Sequence, residues 1–178
     1  MNNVIKIAIV GPESTGKSKL SEELAKHFNT IWVPEYSREY LREIGLNYSL
    51  QDIININKGQ LKLENDLTFK ANTILFCDTT PLVNKIWCEY KYQQCPLEIE
   101  ESFKNTFYNY HFLCDIDLPW EEDPLREHPN KRKELFDSFE QTLIKYQKPY
   151  SIIKGMGYKR IESALDSFLR NKYIIFKQ

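Results

Sequence analysis

The chain has 178 residues, 42% of them hydrophobic, with 24 Lys plus Arg against 25 Asp plus Glu and a formal net charge of -1. That length and composition suit one domain spanning 1–178 with a single core, and the balanced charge excludes a broad electrostatic drive toward nucleic acid or anionic membrane. The longest apolar runs fall far short of the roughly 20 residues that span a bilayer, and the start lacks the pattern of a secretory signal, so a cytoplasmic address is expected.

"VIKIAIVG" is a β-branched run ending at glycine, which predicts a buried strand feeding a loop. The loop is "GPESTGKS", which fits G-x-x-x-x-G-K-[ST] through Gly11, Gly16, Lys17 and Ser18. Leu20, Leu24 and Phe28 then mark one face of a helix, so the pattern has the strand before it and the helix after it that a phosphate loop requires. Loop N–H groups converge on anionic oxygens, Lys17 adds a point charge, and the Ser18 hydroxyl suits Mg²⁺. The expected ATP contacts are Gly11, Glu13, Ser14, Thr15, Gly16, Lys17, Ser18 and Lys19.

"TIWVPEY" reads as a second strand stopped near Pro34, followed by a short helix over 37–45. Leu50 to about Ala71 is helical but irregular in pattern, with Gly59 inside it. "TILFCD" is a third strand ending at Asp78, and Thr80 before Pro81 predicts an N-cap opening a helix to about Tyr92. A further helix starts near Cys95-Pro96. "HFLCDID" is a fourth strand. The charged, proline-containing stretch "LPWEEDPLREHPNKR" has no periodicity and predicts a long loop, a candidate lid over about 119–133.

Leu135, Phe136, Phe139, Leu143 and Tyr146 restore a helical stripe, "PYSIIKG" is a fifth strand, and Ile161, Ala164, Leu165, Phe168 and Leu169 form the cleanest amphipathic pattern. "YIIFK", Tyr173 to Lys177, is expected as a last edge strand. Strands alternating with helices imply parallel pairing, hence a three-layer α/β fold of the P-loop NTPase type with a mainly parallel five-stranded sheet. Cys77, Cys88, Cys95 and Cys114 lack ligand spacing and read as reduced packing thiols.

In an open α/β sheet the ligand crevice lies beyond the carboxyl ends of the strands, which puts the phosphate loop, Glu35 and Asp78 on one rim. Asp78 there can support Mg²⁺ with Ser18 or accept a proton from an attacking hydroxyl, and the sequence leaves both roles open. Tyr36 and Arg38 are candidates for lining an acceptor site. Arg126 and Arg132 of the lid can neutralise charge during phosphoryl transfer, and Trp120 can form an aromatic wall.

Taken in order, "GPESTGKS", "PEYSREYL", "CDTTPLVNKIWCEY", "CDIDLPWEEDPLREHPNKR" and "IIKGMGYKRIESAL" resemble the NadR-type nicotinamide riboside kinase domains and their stand-alone P-loop relatives, over roughly residues 4–170. The resemblance implies a nucleoside- and nucleotide-kinase-like fold and ATP-dependent phosphorylation of the 5′-hydroxyl of nicotinamide riboside, with ATP and Mg²⁺ and a small-molecule riboside as the other partner. It implies ATP phosphates on Gly16, Lys17 and Ser18, catalytic or Mg²⁺ duty for Asp78, acceptor-side roles for Glu35, Tyr36 and Arg38, and lid roles for Arg126 and Arg132. Gly155 to Arg160, with Tyr158, would form an adenine-side loop. The catalytic set is then Lys17, Asp78, Glu35, Arg126 and Arg132.

Two departures stand out. The chain has Asp78-Thr79-Thr80 where D-T-D is frequent, and Asp123 is followed by Pro124 where glycine is usual. The alternative reading is an ATP-binding regulatory NTPase without riboside kinase activity. A GTPase lacks support, since no D-x-x-G follows Asp78 and no N-K-x-D occurs, and nucleic-acid ends are disfavoured by the charge balance. A nucleotidyltransferase activity is not expected, and homo-oligomerisation is left open.

Overall fold

Isoleucine at every second position of "IKIAIV" gives the first strand two usable faces, and both are buried: Ile5, Ile7 and Ile9 in one cluster, Ala8 and Val10 in another. The structure is a computed structural model that describes residues 4–45 and 47–176. Its elements run β1 (Ile5–Val10), α1 (Lys17–His27), β2 (Trp32–Val33), α2 (Tyr36–Ile44), α3 (Leu50–Thr68), β3 (Ile74–Asp78), α4 (Pro81–Tyr92), α5 (Leu97–Asn105), β4 (Tyr110–Cys114), α6 (Arg132–Lys145), β5 (Tyr150–Ile153), α7 (Tyr158–Arg170) and α8 (Lys172–Ile175).

The five strands form one sheet in the order β2-β3-β1-β4-β5, every neighbouring pair parallel. The chain runs from β1 out to the edge strand β2, returns to β3 beside β1, then crosses to β4 and β5 on the other side. Loops leaving β1 and its neighbours therefore diverge at the carboxyl ends of the strands, where a crevice opens.

One face of the sheet is covered by Leu20, Leu24 and Ala25 of α1, Ala164 and Phe168 of α7, and Ile175 of α8. The other is covered by Leu82 and Ile86 of α4, Phe103 of α5, and Leu135, Phe136, Phe139 and Leu143 of α6. Each large aliphatic side chain so buried contributes roughly 1.5–3 kcal/mol. Among the described residues no helix is long and apolar enough to cross a membrane.

The irregular pattern of α3 has a physical explanation. Ile53, Asn57, Gln60 and Glu64 recur at helical spacing and are all buried, so the inward stripe exists but is mostly polar. Asn57 donates to Ser102 Oγ at 3.0 Å, and Glu64 receives Lys6 Nζ at 2.8 Å and the Tyr108 hydroxyl at 2.6 Å. Partners satisfy these groups where apolar packing would otherwise serve. A capping box between Ser49 and Asp52 starts the helix.

Two expectations are corrected. Tyr173 to Phe176 do not extend the sheet: residues 172–175 form the short helix α8, whose Ile175 carbonyl accepts from Asn109 Nδ2 at 3.0 Å, and Lys177 lies outside the described residues. Thr80 stands at the N-cap position of α4 with Pro81 at the first helical position, as expected, although its hydroxyl makes no capping bond. The long loop ends at Lys131, because Arg132 and Lys133 already belong to the first turn of α6.

Candidate active site

The loop joining β1 to α1 turns where only glycine fits. Gly11 has φ +138°, and a Cβ there would lie 2.9 Å from the Cys114 carbonyl oxygen of β4. The loop closes on itself through Pro12, whose carbonyl accepts from Thr15 Oγ1 and from Lys17 Nζ, each at 2.8 Å. Lys17 and Ser18 are the first two residues of α1, so the free N–H groups and positive dipole end of the helix face the loop. The side chain of Lys19 turns away: it pairs with Glu22 and Glu23 along α1 and is largely exposed, which leaves only its main chain at the loop.

Ser18 donates to Asp78 Oδ2 at 2.5 Å. Asp78 ends β3, is fully buried, and keeps its second oxygen, Oδ1, without a hydrogen-bond partner among the described residues. Burial raises its pKa to about 7, helped by the negative charge of Glu35 and opposed by Lys17, the Ser18 hydrogen bond and Arg38. The next residue, Thr79, has φ +67°, a left-handed conformation that costs a β-branched side chain and that marks functional sites more often than ordinary turns.

Glu35 precedes α2 and accepts from Ser37 Oγ at 2.7 Å and Arg38 Nε at 3.1 Å. Arg38 also donates from Nη1 to Asp123 Oδ2 at 2.9 Å, which joins α2 to the long loop. Tyr36 lies across α3 at Gly59, where a Cβ would fall 2.1 Å from its ring. The Gly59 that interrupts the helical pattern is the seat of this ring. Beside it, Gln60 accepts from the Tyr36 N–H at 2.7 Å and donates to the Pro34 and Asp78 carbonyls at 3.2 Å. One buried amide thus holds the ends of β2 and β3 in register.

The 119–131 segment lies over the phosphate loop. Arg126 Nη1 reaches Ser14 Oγ at 3.4 Å, Arg132 Nη1 reaches the Ser14 carbonyl at 3.3 Å and that of Leu118 at 2.8 Å, and both guanidinium carbons lie 5.9 Å from the Trp120 ring centre. Pro124 sits inside a turn that Asp123 closes by accepting from the Leu125 and Arg126 N–H groups, a position that suits its fixed φ. Glu13 accepts from the N–H groups of Glu127 and His128. The structure therefore gathers Gly11 to Ser18, Glu35, Arg38, Asp78, Arg126 and Arg132 at the carboxyl ends of the strands.

The β5–α7 turn borders the same rim. Arg160 is buried there, donating to the Ile153 and Asp115 carbonyls and to Asp117, while Asp117 Oδ2 accepts from the Gly155 N–H at 2.5 Å. Its two terminal nitrogens are committed to protein partners, while its buried Nε has none among the described residues. Tyr158 stands exposed at the first position of α7.

Gln60, Tyr48 and Glu127 shape the site without having been singled out from sequence. Gln60 carried one usable signal, a neutral amide on the inward stripe of a helix next to a glycine.

The family model AAA_28, described as an AAA domain, matches residues 6–160. The chain belongs to this family. It is homologous to the trifunctional NAD biosynthesis and regulator protein NadR of Escherichia coli, 33% identical over a 127-residue alignment that covers 67% of this chain and 30% of that protein. It thus spans under a third of the length of that curated relative. Among solved structures, NadR in complex with NR matches 98% of this AAA-domain chain and 52% of its own at a TM-score of 0.80 and 19% identity, and NadR with NAD and AMP-PNP at 0.77 and 18%. Thymidylate kinase from Ehrlichia chaffeensis matches 94% of this chain and 98% of its own at 0.66 and 15%. The AAA-domain chain thus shares the fold of the P-loop nucleoside and nucleotide kinases.

Proposed function

We propose that the protein is an ATP-dependent small-molecule kinase that transfers the γ-phosphoryl of ATP to the 5′-hydroxyl of nicotinamide riboside, giving nicotinamide mononucleotide and ADP. The observation that carries this reading is the joining of Ser18 to a buried Asp78 beside Glu35, under Arg126 of the long loop and Arg132 at the start of α6. Homology to NadR, a protein solved in complex with NR, supports the choice of riboside.

Within this reading, Lys17 exchanges its bond to the Pro12 carbonyl for phosphate oxygens, and the main-chain N–H groups of 13–18 bind the remaining anionic oxygens. Arg126 and Arg132, already over Ser14, neutralise charge that spreads onto the transferred group. Asp78 and Glu35 orient the attacking hydroxyl, and a carboxylate whose pKa is near 7 is suited to taking its proton. Tyr36 and Arg38 line the acceptor side, with Trp120 close to both lid arginines, and Gly155 to Arg160 border the base of ATP.

Ser18 and Asp78 offer hard oxygen donors, and the unpartnered Oδ1 of Asp78 fits a divalent cation nearby. Mg²⁺ held by Ser18 and Asp78 would supply neutralisation of the negative charge on the phosphates. The test is riboside-dependent consumption of MgATP. Release of ADP that requires nicotinamide riboside supports the proposal, whereas slow hydrolysis indifferent to any riboside points to a regulatory NTPase.

A further inference from the structure

We propose that Glu127 is the positioning residue of the lid: its carboxylate ties the loop that carries Arg126 to Tyr48 and Lys91, on the acceptor side of the site, while its own peptide N–H is fixed to the phosphate loop. The inference rests on the kinase reading only for its catalytic consequence, because the tie itself is a matter of geometry.

The two ends of the tie lie on different parts of the fold. At one end the N–H groups of Glu127 and His128 converge on the Glu13 carboxylate, Glu127 at 3.2 Å from Oε1 and His128 at 3.0 Å from Oε2. At the other end Glu127 Oε1 accepts the Tyr48 hydroxyl and Oε2 accepts Lys91 Nζ at 2.9 Å. Glu127 is therefore bonded through main chain to the nucleotide side and through side chain to the acceptor side. Bonds that involve a charged partner are shorter and stronger than neutral ones.

The receiving end is itself held in place. Tyr48, just before α3, is almost fully buried; its hydroxyl accepts from Trp87 Nε1 at 2.8 Å, its carbonyl from the Tyr92 hydroxyl at 2.8 Å, and Lys91 Nζ stands 3.6 Å above its ring. Burial and the adjacent Glu127 hold the Tyr48 phenol well above its ordinary pKa, so it stays protonated and donates. His128 adds an edge-to-face contact with Tyr90 at 5.0 Å. Helix α4, whose N-terminus follows Asp78, thus grips the lid with its last turns.

Arg126 lies next to Glu127 in the chain and reaches Ser14. Fixing the Glu127 peptide and side chain fixes the direction from which Arg126 approaches the phosphates. Losing the tie leaves the arginine present but badly placed. That should lower turnover more than ground-state binding.

Two variants outside the loop test this without altering its tryptic sites: Tyr48→Phe, and Lys91→Met as the milder change at a partly exposed residue. Limited trypsin digestion of the full chain, with and without a non-hydrolysable ATP analogue, reads opening of 121–133 through cuts after Arg126 and Lys131, and a thermal melt confirms folding. The expected result is cutting in this segment faster by roughly fivefold or more, with sites elsewhere unchanged apart from the one at residue 91 that Lys91→Met removes. In the kinase assay kcat falls while the KM values for ATP and riboside stay near those of the parent. Tyr48→Phe combined with Glu127→Gln is less than additive. Loop cutting at the parent rate in both variants, or acceleration spread over the whole chain, overturns the proposal. The proteolysis arm decides even if nicotinamide riboside proves not to be the acceptor.

Discussion

The hydroxyl of Ser18 lies 2.5 Å from Oδ2 of Asp78, joining the first turn of α1 to the end of β3 across a fully buried carboxyl group. Strands β1 and β3 are hydrogen-bonded neighbours, with Ile9 opposite Asp78, so the sheet register itself brings the two residues together. This pair connects the phosphate loop to the rim on which Glu35 and Arg38 stand.

Asp78 should make the protein less stable than it could be. Its folded-state pKa of about 7 lies above the ordinary 3.8, so over that window the folded chain keeps a proton that the unfolded chain has lost. Stability then falls as pH rises through the window and stays reduced above it. Asp78→Asn is expected to melt higher than the parent at about pH 8 in EDTA without nucleotide, with the gain shrinking toward about pH 4. Its turnover should drop by about 100-fold or more. Thermal melts across pH, paired with the kinase assay, check both statements.

Lys17→Ala should retain the fold, since Lys17 Nζ meets only the Pro12 carbonyl within the loop. Loss of a cation matched to developing phosphate charge is expected to lower kcat by roughly 100-fold or more. Steady-state kinetics beside a thermal melt separate this from unfolding.

Gly59→Ala tests the seat of Tyr36. The added Cβ would lie 2.1 Å from the ring, so the ring must move or α3 must shift. A destabilisation of roughly 1–3 kcal/mol is expected from overpacking, together with a raised KM for the acceptor and little change for ATP. Urea unfolding and substrate-dependence curves measure the two effects.

Glu100 supplies an acid-sensitive clamp away from the site. Burial alone would raise its pKa, but hydrogen bonds from Lys85, Lys104 and Tyr146 prevail and hold it down to about 2, against an ordinary 4.5. The depressed value contributes stability above the ordinary pKa that is lost as pH falls toward 2. Glu100→Gln should therefore be less stable than the parent at about pH 7 and converge with it in strong acid, as read by urea midpoints across pH.

Much of this architecture could be read from residue pattern, because parallel strands buried on both faces leave apolar runs and the intervening helices leave amphipathic stripes. The phosphate loop was legible for the same reason that it works, a strand, a constrained turn and a helix N-terminus in one continuous stretch. Helix α3 was harder, since its inward stripe carries Asn57, Gln60 and Glu64, whose partners are distant in sequence. Residues 173–176 misled by composition: β-branched and aromatic residues suit a strand, yet the chain turns into α8 and buries Ile175 under the sheet. The lid contacts of Glu13, Arg38, Tyr48 and Glu127 join residues from 36 to 115 positions apart and leave no local trace.

The most direct test of the central claim supplies ATP radiolabelled in its γ-phosphoryl, with Mg²⁺ and nicotinamide riboside, and follows where the label goes. The account predicts label in nicotinamide mononucleotide, dependent on protein and abolished in Lys17→Ala. Label appearing only as inorganic phosphate, at a rate that the riboside does not change, would contradict it.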